Sequence, residues 1–189
     1  MISKDAIQSY VGAGRSIVKA EGFIYLLPHP ALRNWISNYT ISFPDRCSIS
    51  ERYSVIPHGC ATLVLSCDEC NCYGYLFGPT TKPAYVGREA NRFRVLFIVE
   101  FQPAGYYAFS GMPQRELLNS VVPFDIVNPV LNRLMAQQIE TDGDLQTIIM
   151  GIDRLFLAHL KAGYFRDEFS LANNMIVDSG GQISVKELS

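Results

Sequence analysis

Hydrophobic and polar positions alternate in short runs along the first half of the chain, and most runs end at Pro or Gly. The strict alternation of residues 39–43 predicts a half-buried strand with Tyr39, Ile41 and Phe43 facing the core. Residues 94–101 are apolar on both faces, as in a strand enclosed by a barrel or sandwich. The predicted strands are residues 22–27, 39–43, 52–56, 61–66, 73–77 and 94–101, with a hairpin between the fourth and the fifth. Short strands at this spacing favour a β-barrel or jelly roll.

From residue 115 onward the hydrophobic period becomes helical. Asn128-Pro129 predicts a helix start, with Val130, Leu131 and Leu134 on one face. Apolar residues then recur at steps of three and four from Leu145 to His159, while Asp144, Asp153, Arg154 and Lys161 lie elsewhere. The pattern predicts an α+β chain in which a β-barrel or jelly roll is followed by a helical pair.

The last residues predict the end of one helix and the start of another. A helix that includes Leu171 and Met175 is expected to end at Gly180-Gly181, because Gly adopts the left-handed conformation that closes helices. Ser184 and Glu187 then form a capping box, in which each side chain accepts from the other residue's backbone N–H. A single further turn is not stable without continuation. We therefore expect the reading frame to continue this helix beyond Ser189.

Several motifs resemble the AraC family of transcription regulators. The stretch Ile183-Ser184-Val185-x-Glu187-Leu188 is similar to the entry into that family's first helix-turn-helix, although Ser189 stands where Ala is usual. Three earlier motifs resemble a subfamily of its sensory domains: residues 30–39 (Pro-x-Leu-x-x-Trp-Ile-x-x-Tyr), residues 56–63 (Ile-Pro-His-Gly-Cys-Ala-Thr-Leu) and residues 99–105 (Val-Glu-Phe-Gln-Pro-Ala-Gly). His58 and Thr62 replace Asp residues of that pattern, and Ala104 replaces a Gly.

The resemblance implies a domain organisation and a function. Residues 1–163 would form a cupin-like sensory domain with C-terminal helices, and residues 164–189 a linker and the opening of a helix-turn-helix domain. The sensory domain would bind an unknown small-molecule effector, and DNA would be bound by a C-terminal domain beyond this chain. Family members often dimerise through helices between the two domains. The Leu145–His159 face could serve such a homodimer, or it could pack on the chain's own barrel, which its width favours.

Composition and charge narrow the function classes. Sixteen basic and eighteen acidic residues give a net charge of −2, which argues against nucleic-acid binding by these 189 residues. No stretch has the length and hydrophobicity of a signal peptide or a membrane helix, so we expect a cytoplasmic protein. The five cysteines are then expected to be reduced thiols.

A cysteine cluster supplies the alternative function. Cys67, Cys70 and Cys72, with Cys60 nearby, could hold a zinc ion or serve a stand-alone β-barrel with a metal-binding or enzymatic role. A second ligand pair at suitable spacing is lacking, and the three histidines are scattered rather than arranged as His-x-His. We therefore expect neither a metal or other cofactor nor enzymatic activity.

The candidate ligand-binding residues are charged or polar groups on strands predicted to line the barrel. A charge that points into an apolar barrel is costly unless a partner or ligand meets it. The candidates are Tyr39, Arg52, His58, Arg92, Arg94 and Glu100. The segment Gly12–Arg15 is too short a glycine motif for nucleotide binding and is interpreted as a flexible turn.

Overall fold

Strands fill the first two thirds of the chain and helices the last third, so the chain has an α+β fold. The computed structural model describes residues 2–12, 14–20, 22–44, 49–141, 144–161 and 167–188. The strands are β1 Ile17–Ala20, β2 Phe23–Leu26, β3 Ile36–Ser42, β4 Ser54–Val55, β5 Thr62–Cys67, β6 Cys72–Phe77, β7 Ala84–Tyr85, β8 Val95–Phe101 and β9 Val121–Pro123. The helices are α1 Lys4–Ser9, α2 Gly87–Ala90, α3 Tyr107–Ser110, α4 Phe124–Val127, α5 Pro129–Glu140, α6 Leu145–His159, α7 Asp167–Asp178 and α8 Val185–Leu188, with 3-10 helices at Pro30–Leu32 and Gln114–Leu117.

Seven strands form one antiparallel sheet in the order β1-β2-β3-β8-β5-β6-β9. Five of the six predicted strands belong to this sheet, and the predicted hairpin is β5–β6. The strand predicted at residues 52–56 is shorter and pairs with β7 in a separate two-stranded sheet. The edge strands β1 and β9 were not predicted, because runs of three or four residues are too short to show a period.

The two faces of the seven-stranded sheet differ in what covers them. Tyr39, Ile41 and Phe43 are buried, as the alternation predicted, and Phe97, Val99 and Phe101 of β8 are buried on the same side. Phe156 of α6 packs into this face, with ring centroids 6.3 Å from Tyr39 and 6.1 Å from Phe101. We call this side the helix-covered face and the opposite side the open face.

Both helices of the predicted pair are present, and α5 begins at Pro129 as predicted. Asn128 caps α5 by accepting from the Leu131 N–H (3.0 Å), and Asp144 caps α6 by accepting from the Thr147 N–H (2.9 Å). The apolar face of α6 packs on the chain's own sheet: Leu145, Ile148, Ile149, Ile152 and Phe156 are all buried.

Two side chains of these helices are placed differently from the prediction. Val130 is exposed, because the buried stripe of α5 is Leu131, Met135 and Ile139. Asp153, expected on the polar side of α6, is buried.

Helix α7 ends as predicted, and α8 begins at the expected position. The Gly181 N–H bonds to the Ile176 carbonyl (2.8 Å) and the Gly180 N–H to the Val177 carbonyl (3.0 Å), with both glycines at positive φ. This pattern is a Schellman motif. The Glu187 carboxylate accepts from the Ser184 N–H (2.9 Å) and from the Ser184 hydroxyl (2.6 Å), so one half of the capping box is formed.

Among the residues described, no helix has the length and apolar character needed to cross a membrane.

Candidate functional site

Side chains of the open face follow from the strand register. Because side chains alternate along a strand, the residues between the buried ones of β3, β8 and β5 point to the open face. Asn38 pairs with Glu100, and Glu100 pairs with Thr62, so these three side chains lie in one row across the three central strands. We call this set the polar row.

Two of the three side chains of the polar row, Asn38 and Thr62, are buried although they lie on the open face. Asn38 is 1% exposed and Thr62 is 9% exposed, while Glu100 is exposed. Asn38 Nδ2 donates to Glu100 Oε2 (2.9 Å) and to Ser37 Oγ (3.3 Å), and Asn38 Oδ1 accepts from the Thr40 hydroxyl (3.2 Å). The Thr62 hydroxyl oxygen is buried and has no hydrogen-bond partner among the described residues. A buried hydroxyl without a partner costs free energy unless a bound molecule or water satisfies it.

The next row along the strands is apolar at its centre. Ile98 of β8 pairs with Thr40 on one side and with Val64 on the other, and Val64 pairs with Tyr75. Ile98 and Val64 are half-buried, while Tyr75 is exposed enough for its ring to be reached from solvent. The open face therefore offers an apolar floor next to the polar row.

Cys60 and His58 precede β5, the strand that carries Thr62. The Cys60 N–H donates to His58 Nδ1 (3.4 Å), which holds the imidazole against the backbone. Burial raises the pKa of the Cys60 thiol, and the negative charge of Glu100 raises it further. A thiol with a raised pKa is a poor nucleophile near neutral pH.

Of the six predicted ligand-binding residues, only Glu100 lies in the polar row, and His58 lies four residues before Thr62 in the chain. Arg92 and Arg94 are exposed and form ion pairs with Glu89 (2.7 Å) and Glu69 (3.3 Å). Arg94 precedes β8 and Glu100 lies near its end, so the two are about 20 Å apart along the strand.

The remaining two candidates are also placed away from the polar row. Arg52 is exposed before the two-stranded sheet. Tyr39 is buried in the helix-covered face and lines no open surface. The six candidates were predicted together because all lie on or beside predicted strands. Alternation alone does not show which face of those strands lines a binding surface.

The cysteines do not form the predicted alternative cluster. Cys67 and Cys72 face each other across the β5–β6 hairpin and form a disulfide, so the expectation of reduced thiols is wrong for this pair. Cys70 is exposed in the turn. Cys60 lies beyond the other end of β5, about 23 Å from Cys67 along the extended chain. Among the described residues, no group of three or more His, Cys, Asp or Glu side chains is arranged to hold a metal ion.

A buried ion pair joins the N-terminal segment to the sheet and to α6. Arg15 donates through Nη2 to Asp153 Oδ2 (2.5 Å), and both side chains are nearly buried. Asp153 Oδ1 accepts from the Tyr39 hydroxyl (3.1 Å) and from the His29 N–H (3.0 Å). Burial raises the pKa of Tyr39 well above its usual value, and the adjacent Asp153 carboxylate raises it further. The Arg15 side chain of the predicted Gly12–Arg15 turn is thus anchored to Asp153, while Ala13 of that turn lies outside the described residues.

Sequence reasoning missed both Asn38 and Thr62, although a signal was present. The phase that places Tyr39 and Ile41 in the core also places Asn38 and Thr40 on the opposite face. Asp153 carried no such signal, because its partners lie 114 to 138 residues away along the chain.

Comparisons with known proteins place the sheet in a family. Neither a curated protein nor a solved structure matches the chain. A family model described as "Domain of unknown function (DUF6597)" matches residues 25–123, which extend from β2 to β9 and include the whole polar row. The match covers more than half of the 189 residues, and the chain therefore belongs to the DUF6597 family.

Proposed function

We propose that this chain is the effector-sensing domain of a bacterial AraC-type transcription regulator. In this proposal the seven-stranded sheet is a cupin-like sensory domain, the polar row binds a small-molecule effector, and α7 and α8 lead into a helix-turn-helix domain. DNA is contacted by residues that follow Ser189 in the reading frame. A cytoplasmic location is also part of this proposal.

One observation carries the proposal: the α7–turn–α8 segment follows the sheet and the helical pair. Its Schellman motif and its half-formed Ser184–Glu187 cap support this part of the proposal, because a helix, a Gly turn and a newly capped helix are what the resemblance implies here. Leu171, Val177 and Val185 are exposed on these two helices. Apolar side chains left in solvent on an amphipathic helix are suited to packing against a further element.

The open face supports the sensory part of the proposal. Its polar row combines a buried hydroxyl without a described partner, a buried amide and an accessible carboxylate. Small-molecule sites combine apolar side chains with a few polar groups that fix orientation, and the rows of Glu100 and Ile98 have that composition on the surface of the sheet. An effector that binds one conformation better than the other would shift the population of DNA-competent molecules.

The proposal includes a homodimer. The apolar face of α6 is occupied by the chain's own sheet. A homodimer would therefore use another surface, and the exposed apolar positions of α7 are the candidates on the described residues.

The test of the regulator function uses the product of the complete reading frame. We expect it to bind DNA from upstream of its own gene, with affinity that falls steeply as salt is raised from about 50 to 200 mM. Footprinting should show protected half-sites about one helical turn apart. A complete product without sequence-specific DNA affinity would contradict the proposal.

A further inference from the structure

We propose that the polar row binds the ammonium group of a small amine whose apolar part lies on Ile98 and Val64. This inference rests on the sensory function proposed above and names the chemical class of the effector. It is drawn from the hydrogen-bonding capacity of the row, from the charge of Glu100 and from the floor beside it.

The hydrogen-bonding capacity left in the row consists mainly of acceptors. Both N–H groups of the Asn38 amide are used, one by Glu100 and the other by Ser37. The Thr62 hydroxyl oxygen has no partner among the described residues, and the side-chain bond described for Glu100 uses Oε2 rather than Oε1. An ammonium group has three donors and no acceptor, so it complements such a surface.

The charge of the row favours a cation over a neutral donor. The basic side chains with described ion pairs are Arg15, Arg88, Arg92 and Arg94, and each pairs with an acid other than Glu100. The side chains that flank Glu100 in the register, Asn38 and Thr62, are uncharged. A hydrogen bond to an ionised carboxylate from a cationic donor is roughly twice as strong as a neutral one.

The floor beside the row selects an amine with an apolar part. Ile98 and Val64 lie two residues along their strands from Glu100 and Thr62, which is about 7 Å. Tyr75 continues that row and offers an accessible ring. A molecule with its amine about 5–7 Å from an aryl or alkyl group can therefore contact both rows at once.

Calorimetric titration of residues 1–189 with 2-phenylethylamine tests the inference, with 2-phenylethanol as the uncharged analogue of the same shape. We expect the amine to bind at least about tenfold more tightly than the alcohol. Glu100→Gln should lower amine affinity about tenfold and leave alcohol binding unchanged. Thr62→Val, which keeps the shape and removes the hydroxyl, should weaken amine binding by a smaller factor.

Glu69→Gln is the matched control. It removes the same charge from an exposed position beside the β5–β6 turn, at the opposite end of β5 from Thr62, and should leave amine binding unchanged. Thermal unfolding midpoints of all variants show whether each is folded. If Glu100→Gln were unfolded, the amine affinity of Thr62→Val would decide whether the polar row is the binding site.

Three results would overturn the inference: no amine binding, equal binding of amine and alcohol, or amine binding that Glu100→Gln and Thr62→Val leave unchanged. The measurement involves no DNA. Its failure would therefore not contradict DNA binding by the complete product. Conversely, a complete product without DNA affinity would not contradict the amine site.

Discussion

Asp153 engages three donors with one carboxylate. Arg15 bonds to one oxygen, and the Tyr39 hydroxyl and the His29 N–H share the other. The side chain is 3% exposed, so water cannot replace a donor that is lost. Burying two charges is costly, so removal of one partner leaves the other as an uncompensated buried charge.

We expect Asp153→Asn to lower the free energy of unfolding by about 3 kcal/mol, because it leaves the Arg15 guanidinium buried without a counter-charge. Urea unfolding followed by circular dichroism measures the change. Asp125→Asn, at an exposed position of α4, is the matched control and should change stability by less than about 0.5 kcal/mol. Equal effects of the two substitutions would show that the buried pair contributes nothing specific.

The raised pKa of Tyr39 predicts a loss of stability in alkali. An unfolded tyrosine ionises with a pKa of about 10, whereas burial and Asp153 raise the pKa of Tyr39 in the native protein, and burial raises that of Tyr106 to about 12. The stabilisation is therefore complete below about pH 10 and is lost as pH rises from there toward the native pKa values. Unfolding free energies measured at several pH values above 9 should fall less steeply for Tyr39→Phe than for the wild type. Parallel curves would contradict this assignment.

At the scale of elements, the β5–β6 hairpin is held at both ends. Cys67 and Cys72 are bonded at its turn, with Cα atoms 4.1 Å apart, the close spacing of a pair without mutual backbone hydrogen bonds. At the other end Gly78 lies against the backbone around Leu117, and its N–H donates to the Ser120 carbonyl (3.0 Å). The hairpin's position relative to β9 depends on that close approach.

Gly78→Ala should be strongly destabilising, by about 2 kcal/mol or more, because the added Cβ would overlap the Leu117 carbonyl group. Backbone atoms cannot move aside as a flexible side chain can. Gly59→Ala is the control, since its Cβ would meet no atom within 4 Å. Chemical unfolding of the two variants gives the comparison, and similar midpoints would mean that the 3-10 helix at Gln114–Leu117 moves at little cost.

The hairpin disulfide should contribute modestly to stability. Closing so short a loop, with a sequence separation of 5, lowers the entropy of the unfolded chain by an amount worth about 2 kcal/mol. We expect reductant to lower the unfolding midpoint of the wild type and to leave the Cys67→Ala/Cys72→Ala variant unchanged. Peptide mapping without reduction should recover residues 67 and 72 linked. Recovery of both as free thiols would contradict the disulfide.

Periodicity predicted elements well and contacts poorly, for a physical reason. The bounds of α6 and five strands follow from side chains that repeat with the period of the backbone, which is local information. Which face of the sheet the helices cover depends on the packing of residues far apart in sequence. Alternation therefore placed Tyr39 and Ile41 correctly on the same face of the sheet. It could not show that Glu100 lies on the opposite face, which no described helix covers.

At the scale of the whole molecule, the charge balance argues against DNA binding by this chain. Its net charge is −2, and most of the described arginines with ion pairs are exposed and already matched to acids. Phosphate binding requires several basic side chains concentrated on one face. In the proposed function, DNA is contacted by residues outside this chain.

We expect residues 1–189 alone to show no sequence-specific DNA affinity. Titration of labelled upstream DNA at moderate salt, with unrelated DNA of equal length as competitor, measures this. The physical reason is the slight excess of acidic residues. Such a balance leaves too little positive charge to neutralise DNA phosphates, and few counterions would therefore be released on binding. Tight, salt-sensitive binding by this chain would place the DNA surface within it.

The Asp153 carboxylate also sets an order of events during synthesis. Its partners at Arg15, His29 and Tyr39 precede it by 138, 124 and 114 residues, so the ribosome completes the central strands long before the carboxylate exists. Until α6 has left the exit tunnel, the Arg15 guanidinium and the Tyr39 hydroxyl lack their acceptor, and the helix-covered face lacks Phe156. Contacts of such long sequence separation form late and slow folding. A nascent chain stalled before residue 153 would therefore hold a sheet whose apolar side is open to chaperones, and release of the last third of the chain is the step that closes it.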